Sequence, residues 1–287
     1  MTKFWTLAGI AGLLISGLVP LSAQVNDPNS GIQYKRGQDV VPAYDGWQKN
    51  SDGTYSFWFS YFNRNYEEIV DVPVGPDNSF SPGPADRGQP THFLQRRQMF
   101  IFRVVVPKDW GADQKLTWTI TSHGKTNRAK AWLQPEWELN KGTMSENRSA
   151  GTPDTSNEFP TVTGSGPMTA RVGTPITLMA SATDDGLPAA KPRKQRGAEV
   201  APTERFDPIG TIIPEGMMRG MGLNIKWIVY RGAAKVTFEP AATKPAPVKS
   251  AEISSKVTFS EPGVYVIRAI ASDGALESTH DVTVTVK

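Results

Sequence analysis

The chain has 287 residues, no cysteine, and a near balance of 31 basic against 28 acidic residues. The absence of cysteine excludes disulfides, thiolate zinc sites and cysteine nucleophiles. Basic residues cluster densely only at Lys191–Arg196, which we interpret as a solvated loop, so no nucleic-acid partner is predicted.

Residues 1–23 have the features of a secretory signal peptide. Lys3 gives the N-terminal region a positive charge, and Leu7–Val19 is an apolar run too short for a membrane span. Ala23 is a small residue of the kind that precedes a signal-peptidase cleavage site. We predict cleavage after Ala23 and a secreted or periplasmic protein; an uncleaved anchor is the alternative. No other apolar stretch approaches membrane-spanning length, so the mature chain is expected to lack a transmembrane segment. Export without cysteine fits a bacterial envelope.

Residues 24–140 are predicted to form an antiparallel β-sandwich. Alternating apolar residues indicate strands with one buried face: Tyr55, Phe57, Phe59 and Tyr61 in TYSFWFSYF; Phe100, Phe102, Val104 and Val106 in RRQMFIFRVVVP; Leu116, Trp118 and Ile120 in KLTWTIT. The segment Ser122–Asn127 is a turn signal, so the last of these strands should continue into a hairpin.

Tryptophan is concentrated in this first half, where six of the eight tryptophans of the chain lie. Trp118 fits a core position. Trp110 in PKDWG, and Trp132 and Trp137 in AWLQPEWEL, are less clearly directed inward. Because exposed tryptophan rings stack on sugar rings, these three residues are the candidate ligand-binding residues.

The histidines His92 and His123 lie in the same half, and neither belongs to a short metal-binding motif. No nucleophile elbow, phosphate loop or dinucleotide fingerprint is present. No catalytic residue is therefore assigned. Distant residues can still converge, which leaves a metal-dependent hydrolase with a site around His92 and His123 as an alternative.

Residues 141–157, KGTMSENRSAGTPDTSN, are polar and lack apolar periodicity. We interpret them as a linker between two unlike domains.

Residues 158–287 show the pattern of a second sandwich. Strands are expected at about 160–164, 167–171, 175–183, 223–230, 234–238, 251–259, 263–271 and 279–286. Trp227 is predicted to be the core aromatic of the third main strand. Tyr265 follows Pro262–Gly263 at the start of the penultimate strand, which is the position of a tyrosine corner.

This half resembles a bacterial immunoglobulin-like module of the PKD and cadherin-like group, on the segments GTPITLMASATDDGLP, LNIKWIVYRGAAKVTF, KVTFSEPGVYVIRAIASDG and DVTVTV. The resemblance implies an immunoglobulin-like fold and leaves function open. A long insertion, Leu187–Gly222, departs from the pattern. The chain as a whole is predicted to be all-β, with two antiparallel sandwiches in tandem.

Three carboxylates follow strands of the second half. Asp184 and Asp185 come after one strand and Asp273 after another. In an immunoglobulin-like topology these strands end at the same end of the domain, so the side chains are candidate calcium ligands. Ordinary Asp–Gly turn chemistry is the competing interpretation. Neither the calcium-site interpretation nor the turn interpretation requires a cofactor for function.

These observations favour a non-catalytic envelope protein acting in binding, adhesion or scaffolding. Its partner would be a protein or a glycan of the cell envelope. The second domain would serve as a spacer or interaction module, and the aromatic-rich first domain would carry the more specific function.

Overall fold

The computed structural model describes residues 33–148, 155–189, 222–232 and 234–287. The predicted signal peptide and residues 190–221 of the predicted insertion lie outside the described residues. Tyr34–Lys287 form one compact unit, almost all of it β-strand and connecting loops. Over the described ranges, no helix combines the length and the apolar character needed to cross a membrane.

The first half forms an antiparallel sandwich of eight strands: β1 (Val40–Lys49), β2 (Tyr55–Asn63), β3 (Val70–Asp71), β4 (Asn78–Ser81), β5 (His92–Phe93), β6 (Arg96–Val106), β7 (Leu116–Ser122) and β8 (Lys125–Ala131). One sheet has the order β1-β2-β6, a second β4-β7-β8, and β3 pairs with β5. The β7–β8 hairpin turns where the sequence predicted it.

The core of this sandwich is aromatic. Trp118 of β7 is fully buried, and its ring lies 5.0 Å from Phe102, 5.8 Å from Phe80 and 5.9 Å from Phe59. Because each large ring removes much apolar surface from water and ring pairs add further attraction, these contacts stabilise the sandwich strongly. The alternation of β2 and β7 predicted these buried faces correctly.

The alternation of β6 breaks at Phe100. We predicted that Phe100 shares a face with Phe102, Val104 and Val106; only the last three join the main core. Phe100 belongs instead to a separate cluster. The prediction for Phe100 was therefore wrong.

A β-bulge explains this difference. Phe59 of β2 pairs with Phe102, whereas Tyr61 pairs with Gln98, so the residues between Gln98 and Phe102 lie opposite Ser60 alone. Phe100 adopts a φ of 49° within the bulge. Within the bulge, Ile101 rather than Phe100 joins the main core, and periodicity cannot reveal such a local break.

The predicted linker begins as a helix. After the 3₁₀ turn Pro135–Trp137, the α-helix α1 spans Lys141–Arg148. The side-chain oxygen of Asn140 accepts a hydrogen bond from the main-chain N–H of Thr143 at 2.9 Å, which caps the helix. Met144 is 2% exposed. The first half of this segment is thus packed structure rather than extended chain.

The second half is an immunoglobulin-like sandwich of β9 (Thr161–Gly164), β10 (Met168–Ala170), β11 (Ile176–Thr183), β12 (Asn224–Arg231), β13 (Val236–Glu239), β14 (Ser250–Phe259), β15 (Gly263–Ser272) and β16 (Glu277–Val286). The sheet orders are β13-β14-β11-β9 and β10-β16-β15-β12. Only β10 runs parallel to its neighbour, β16. These orders correspond to the two sheets of immunoglobulin domains.

Two predicted core features of this sandwich are confirmed. Trp227 on β12 is 4% exposed within the second core. The hydroxyl of Tyr265 donates a hydrogen bond to the carbonyl of Glu261 at 2.9 Å, forming the tyrosine corner.

The sandwiches contact each other through the end of β12. The guanidinium of Arg231 forms a two-pronged ion pair with Asp86 at 2.7 and 3.0 Å. It also donates to the carbonyl of Gln89 at 2.8 Å, and the hydroxyl of Tyr230 donates to the carbonyl of Gly88 at 2.5 Å. Paired hydrogen bonds of this kind fix orientation as well as distance.

A second contact forms around α1, in a cluster of Phe100, Leu139, Met144 and Leu276. Arg148 at the end of α1 forms an ion pair with Glu277 and donates to the carbonyl of Met99 at 2.9 Å. The bulge, the helix and the second sandwich are therefore held together at one place.

Candidate functional site

Three aromatic rings lie nearly parallel on the first sandwich. The ring centroids of Tyr44 and Trp137 are 5.3 Å apart with an interplanar angle of 17°. Those of Trp132 and Trp137 are 6.1 Å apart at 26°, and those of Tyr44 and Trp132 are 6.3 Å apart at 31°. We call Tyr44, Trp132 and Trp137 the aromatic platform.

Hydrogen bonds to β1 hold the platform in place. The hydroxyl of Tyr44 donates to the carbonyl of Trp132 at 2.8 Å. The indole N–H of Trp47 donates to the carbonyl of Gln134 at 2.7 Å. Burial, with the negative charge of Asp45 as a smaller cause, raises the pKa of Tyr44, so its hydroxyl stays a donor at neutral pH. The segment that carries both tryptophans is thereby fastened to the edge of a sheet.

The aromatic platform has exposed ring surface and hydrogen-bond donors that could contact a ligand. Trp137 is 39% exposed and Trp132 is half-buried. Within the described residues, neither indole N–H of this pair makes a hydrogen bond, and Lys115 lies 5.6 Å from the Trp132 ring centroid. The surface therefore offers an apolar ring face, two N–H donors and one cation.

Trp110 has a different position from the other two candidate tryptophans. It is half-buried, and its indole N–H donates to the carbonyl of Gln114 at 3.0 Å. Its ring meets Phe57 edge-on at 5.9 Å, and Phe57 in turn contacts Tyr44 at 5.7 Å. Trp110 thus packs behind the platform.

Sequence reasoning missed Tyr44, the third platform ring. Its strand begins VVPAYDGW, where the burial alternates from Val40 to Gly46 as in a half-buried strand. The sequence itself has apolar residues at both alternating positions, such as Val40 and Val41, so periodicity does not single out Tyr44. The contact with Trp132 and Trp137, some ninety residues later, had no counterpart in the sequence.

Each candidate histidine is paired with its own carboxylate. The Nδ1 atom of His92 lies 2.6 Å from Asp71, and the Nε2 atom of His123 lies 3.2 Å from Glu68. Across the described ranges, no group of three or more histidine, aspartate or glutamate side chains is arranged to hold a metal ion. Asp71 and His123 do line one open groove.

Asp273 is an acceptor in a turn. One oxygen accepts hydrogen bonds from the main-chain N–H groups of Ala275 and Leu276 at 2.6 and 2.7 Å. The other accepts from the side-chain amide of Asn157 at 3.0 Å. Burial raises the pKa of Asp273. Asn157 bonds Asp273 and the next residue, Glu158, bonds Asp185, so the two strand ends lie at the same end of the sandwich.

Asp184 and Asp185 also accept hydrogen bonds from main-chain N–H groups. Asp184 accepts from the N–H of Gly186 at 2.8 Å, and Asp185 accepts from those of Leu187 and Glu158 at 2.8 and 3.0 Å. These bonds fit the Asp–Gly turn interpretation. A calcium site at Asp184, Asp185 and Asp273 stays a prediction, to be tested by comparing the melting temperature in calcium and in chelator.

No protein-family profile matches the sequence, and neither does any curated protein sequence. Solved structures with weak similarity include a chimeric titin Z1Z2 carrying a KLER peptide from decorin (12% identity, 87% of this chain and 98% of that chain, TM-score 0.23). Others are domains 4 and 5 of the S-layer protein SbsC (11%, 87% and 98%, 0.26) and the D00–D0 domain of intimin (10%, 87% and 100%, 0.25). The immunoglobulin-like assignment rests on the strand order and register described above.

Proposed function

We propose that the protein is an exported, non-catalytic binding protein of the bacterial cell envelope, and that it holds a glycan on the aromatic platform. The observation that supports this proposal is the near-parallel arrangement of Tyr44, Trp132 and Trp137 with the exposed Trp137 ring. Trp132 and Trp137 are two of the three tryptophans that the sequence analysis identified as candidate ligand-binding residues.

The chemistry of the platform suits a sugar. The C–H face of a pyranose is apolar and packs on an aromatic ring, while its hydroxyl groups need hydrogen-bond partners at the ring edge. The free indole N–H groups of Trp132 and Trp137 are such partners, and the Lys115 ammonium is a further donor. A ligand site of this kind combines a mainly apolar surface with a few placed polar groups.

The second sandwich is proposed to act as a spacer or interaction module. The contacts at Arg231 and around α1 tie it to the first sandwich. A fixed joint would present the platform in a constant direction relative to the rest of the chain. Such presentation suits adhesion or scaffolding.

A glycan array with the purified mature chain tests the proposal. The wild-type protein should bind a subset of envelope-type polysaccharides, and Trp137→Ala should lose that binding. Tyr34→Ala is the matched control, because Tyr34 is a 47% exposed aromatic residue outside the platform. Wild-type protein that binds no glycan, or equal loss in both variants, would refute the proposal.

A further inference from the structure

The aromatic platform has an unneutralised cation beside it. The ammonium nitrogen of Lys115 lies 5.6 Å from the ring centroid of Trp132, and that centroid lies 6.1 Å from the ring of Trp137. Lys115 is exposed, and among the residues that the structure describes it forms no ion pair. Glu136 and Glu138, the acidic neighbours of Trp137 in the chain, do not pair with it either. Its charge is therefore available to a ligand on the platform.

The register of the β7–β8 hairpin fixes the place of this cation. Leu116, the first residue of β7, pairs with Ala131, the last residue of β8, and both side chains are fully buried. Because the strands are antiparallel, Lys115 and Trp132 directly flank this buried pair at the same end of the hairpin. The lysine backbone is thus anchored next to the platform by the sheet itself.

The arrangement disfavours a cationic ligand. Aromatic sites for ammonium groups surround the cation with rings, whereas the three platform rings lie within 31° of parallel and do not enclose a space between them. Lys115 would also repel a second positive charge beside Trp132. An anionic group is the ligand chemistry that complements this cation.

We infer that the platform selects an acidic glycan, that is, a sugar chain that carries carboxylate or sulfate groups. This inference rests on the proposed binding of a glycan and adds its chemical class. The apolar face of one sugar would pack on the exposed ring of Trp137, and an anionic group on the same or the next sugar would form a charge-assisted hydrogen bond with Lys115. Lys115 is thereby the residue that determines specificity, and the rings supply the contact that all glycans share.

Matched pairs of glycans test this at about 150 mM NaCl, which screens non-specific attraction. One pair is a polyuronate and its carboxyl-reduced form, and the other is a sulfated polysaccharide and its desulfated form. The wild-type protein should bind an acidic member about fivefold more tightly than its neutral partner, the effect of one exposed ion pair, and the pair that responds identifies the anionic group. Equal or tighter binding of the neutral forms would overturn the inference and leave the proposed function standing. Binding of no glycan at all would refute both.

Variants separate the cation from the rings. Lys115→Met should lose the fivefold preference for the acidic glycan without weakening the neutral one, and Lys115→Arg, which keeps the charge, should retain the preference. Lys256→Met removes the same charge at an exposed position of β14 and should have no effect. Trp137→Ala should weaken acidic and neutral glycans alike. If Lys115→Met keeps the preference, or Lys256→Met loses as much of it, Lys115 does not select the ligand and the inference is wrong.

Discussion

Arg268 of the second sandwich donates a hydrogen bond to the main-chain carbonyl of Ile101 in the first, at 2.5 Å. The same guanidinium lies 3.4 Å from the ring centroid of Tyr230 and forms a two-pronged ion pair with Asp281 at 2.7 and 2.8 Å. Arg268 is only 6% exposed. Because Ile101 lies in the bulge next to Phe100, this contact joins the most irregular part of β6 to the second sandwich.

Arg268→Ala should therefore loosen the joint. Removal of the guanidinium leaves Asp281 and the Ile101 carbonyl without their partner, which should cost about 2–4 kcal/mol of unfolding free energy. Urea denaturation measures this loss. Arg171→Ala, at an exposed arginine, should stay within about 0.5 kcal/mol of the wild type; equal effects of the two variants would mean that the joint carries no stability.

Trp227→Ala should destabilise the second sandwich by about 3–5 kcal/mol, because deletion of a buried aromatic side chain leaves a cavity. Trp227 is 4% exposed, whereas Met179, on β11 of the same sandwich, is 58% exposed. Met179→Ala is thus a control with little expected effect. A Trp227→Ala variant with an unchanged melting temperature would show that the residue is not part of the core.

Stability should depend on the protonation of Asp45. This carboxylate accepts hydrogen bonds from the hydroxyl of Ser60 at 2.7 Å and the N–H of Phe100 at 3.0 Å. Burial nevertheless raises its pKa from 3.8 to about 6. The folded protein therefore holds this proton more tightly than the unfolded chain, and the resulting stabilisation is complete below pH 4 and lost as the pH rises through 6.

Asp45→Asn isolates this effect. The stability of the wild type minus that of the variant should fall by at most about 3 kcal/mol between pH 4 and pH 7, as measured by urea denaturation at each pH. Asp and Asn also form different hydrogen bonds, but a constant difference of this kind shifts the stability difference equally at every pH and does not change its slope. A difference that is flat, or that rises with pH, contradicts the account of Asp45.

Export should leave Gln24 as the first residue. Mass spectrometry of the protein secreted by a bacterial host tests the cleavage after Ala23. Retention of residues 1–23 in the exported protein would show that this segment is an uncleaved anchor and not a cleaved signal peptide.

The sequence predicted those features that local periodicity encodes. Val282, Val284 and Val286 alternate along β16 and are all buried, and Tyr265 follows a turn at the start of its strand. The strands of the second half lie within a few residues of their predicted positions, because β-branched runs between turn residues are specific to strands.

The remaining features depend on contacts distant in sequence. The bulge at Phe100, the inclusion of Tyr44 in the platform and the reach of Arg268 to Ile101 each join segments more than thirty-five residues apart. Helix α1 was missed because its polar sequence carries little apolar periodicity, and only Met144 and Ser145 are buried. The prediction of a linker over residues 141–157 followed from composition alone.

Calorimetric titration of the strongest array ligand tests the role of the platform most directly. Trp137→Ala should weaken binding at least about tenfold, as expected for a central aromatic contact. Trp137→Phe, which keeps a ring face, should retain most of the affinity, and Tyr34→Ala should bind as the wild type does. If Trp137→Ala binds the glycan with the affinity of the wild-type protein, the aromatic platform is not its binding site.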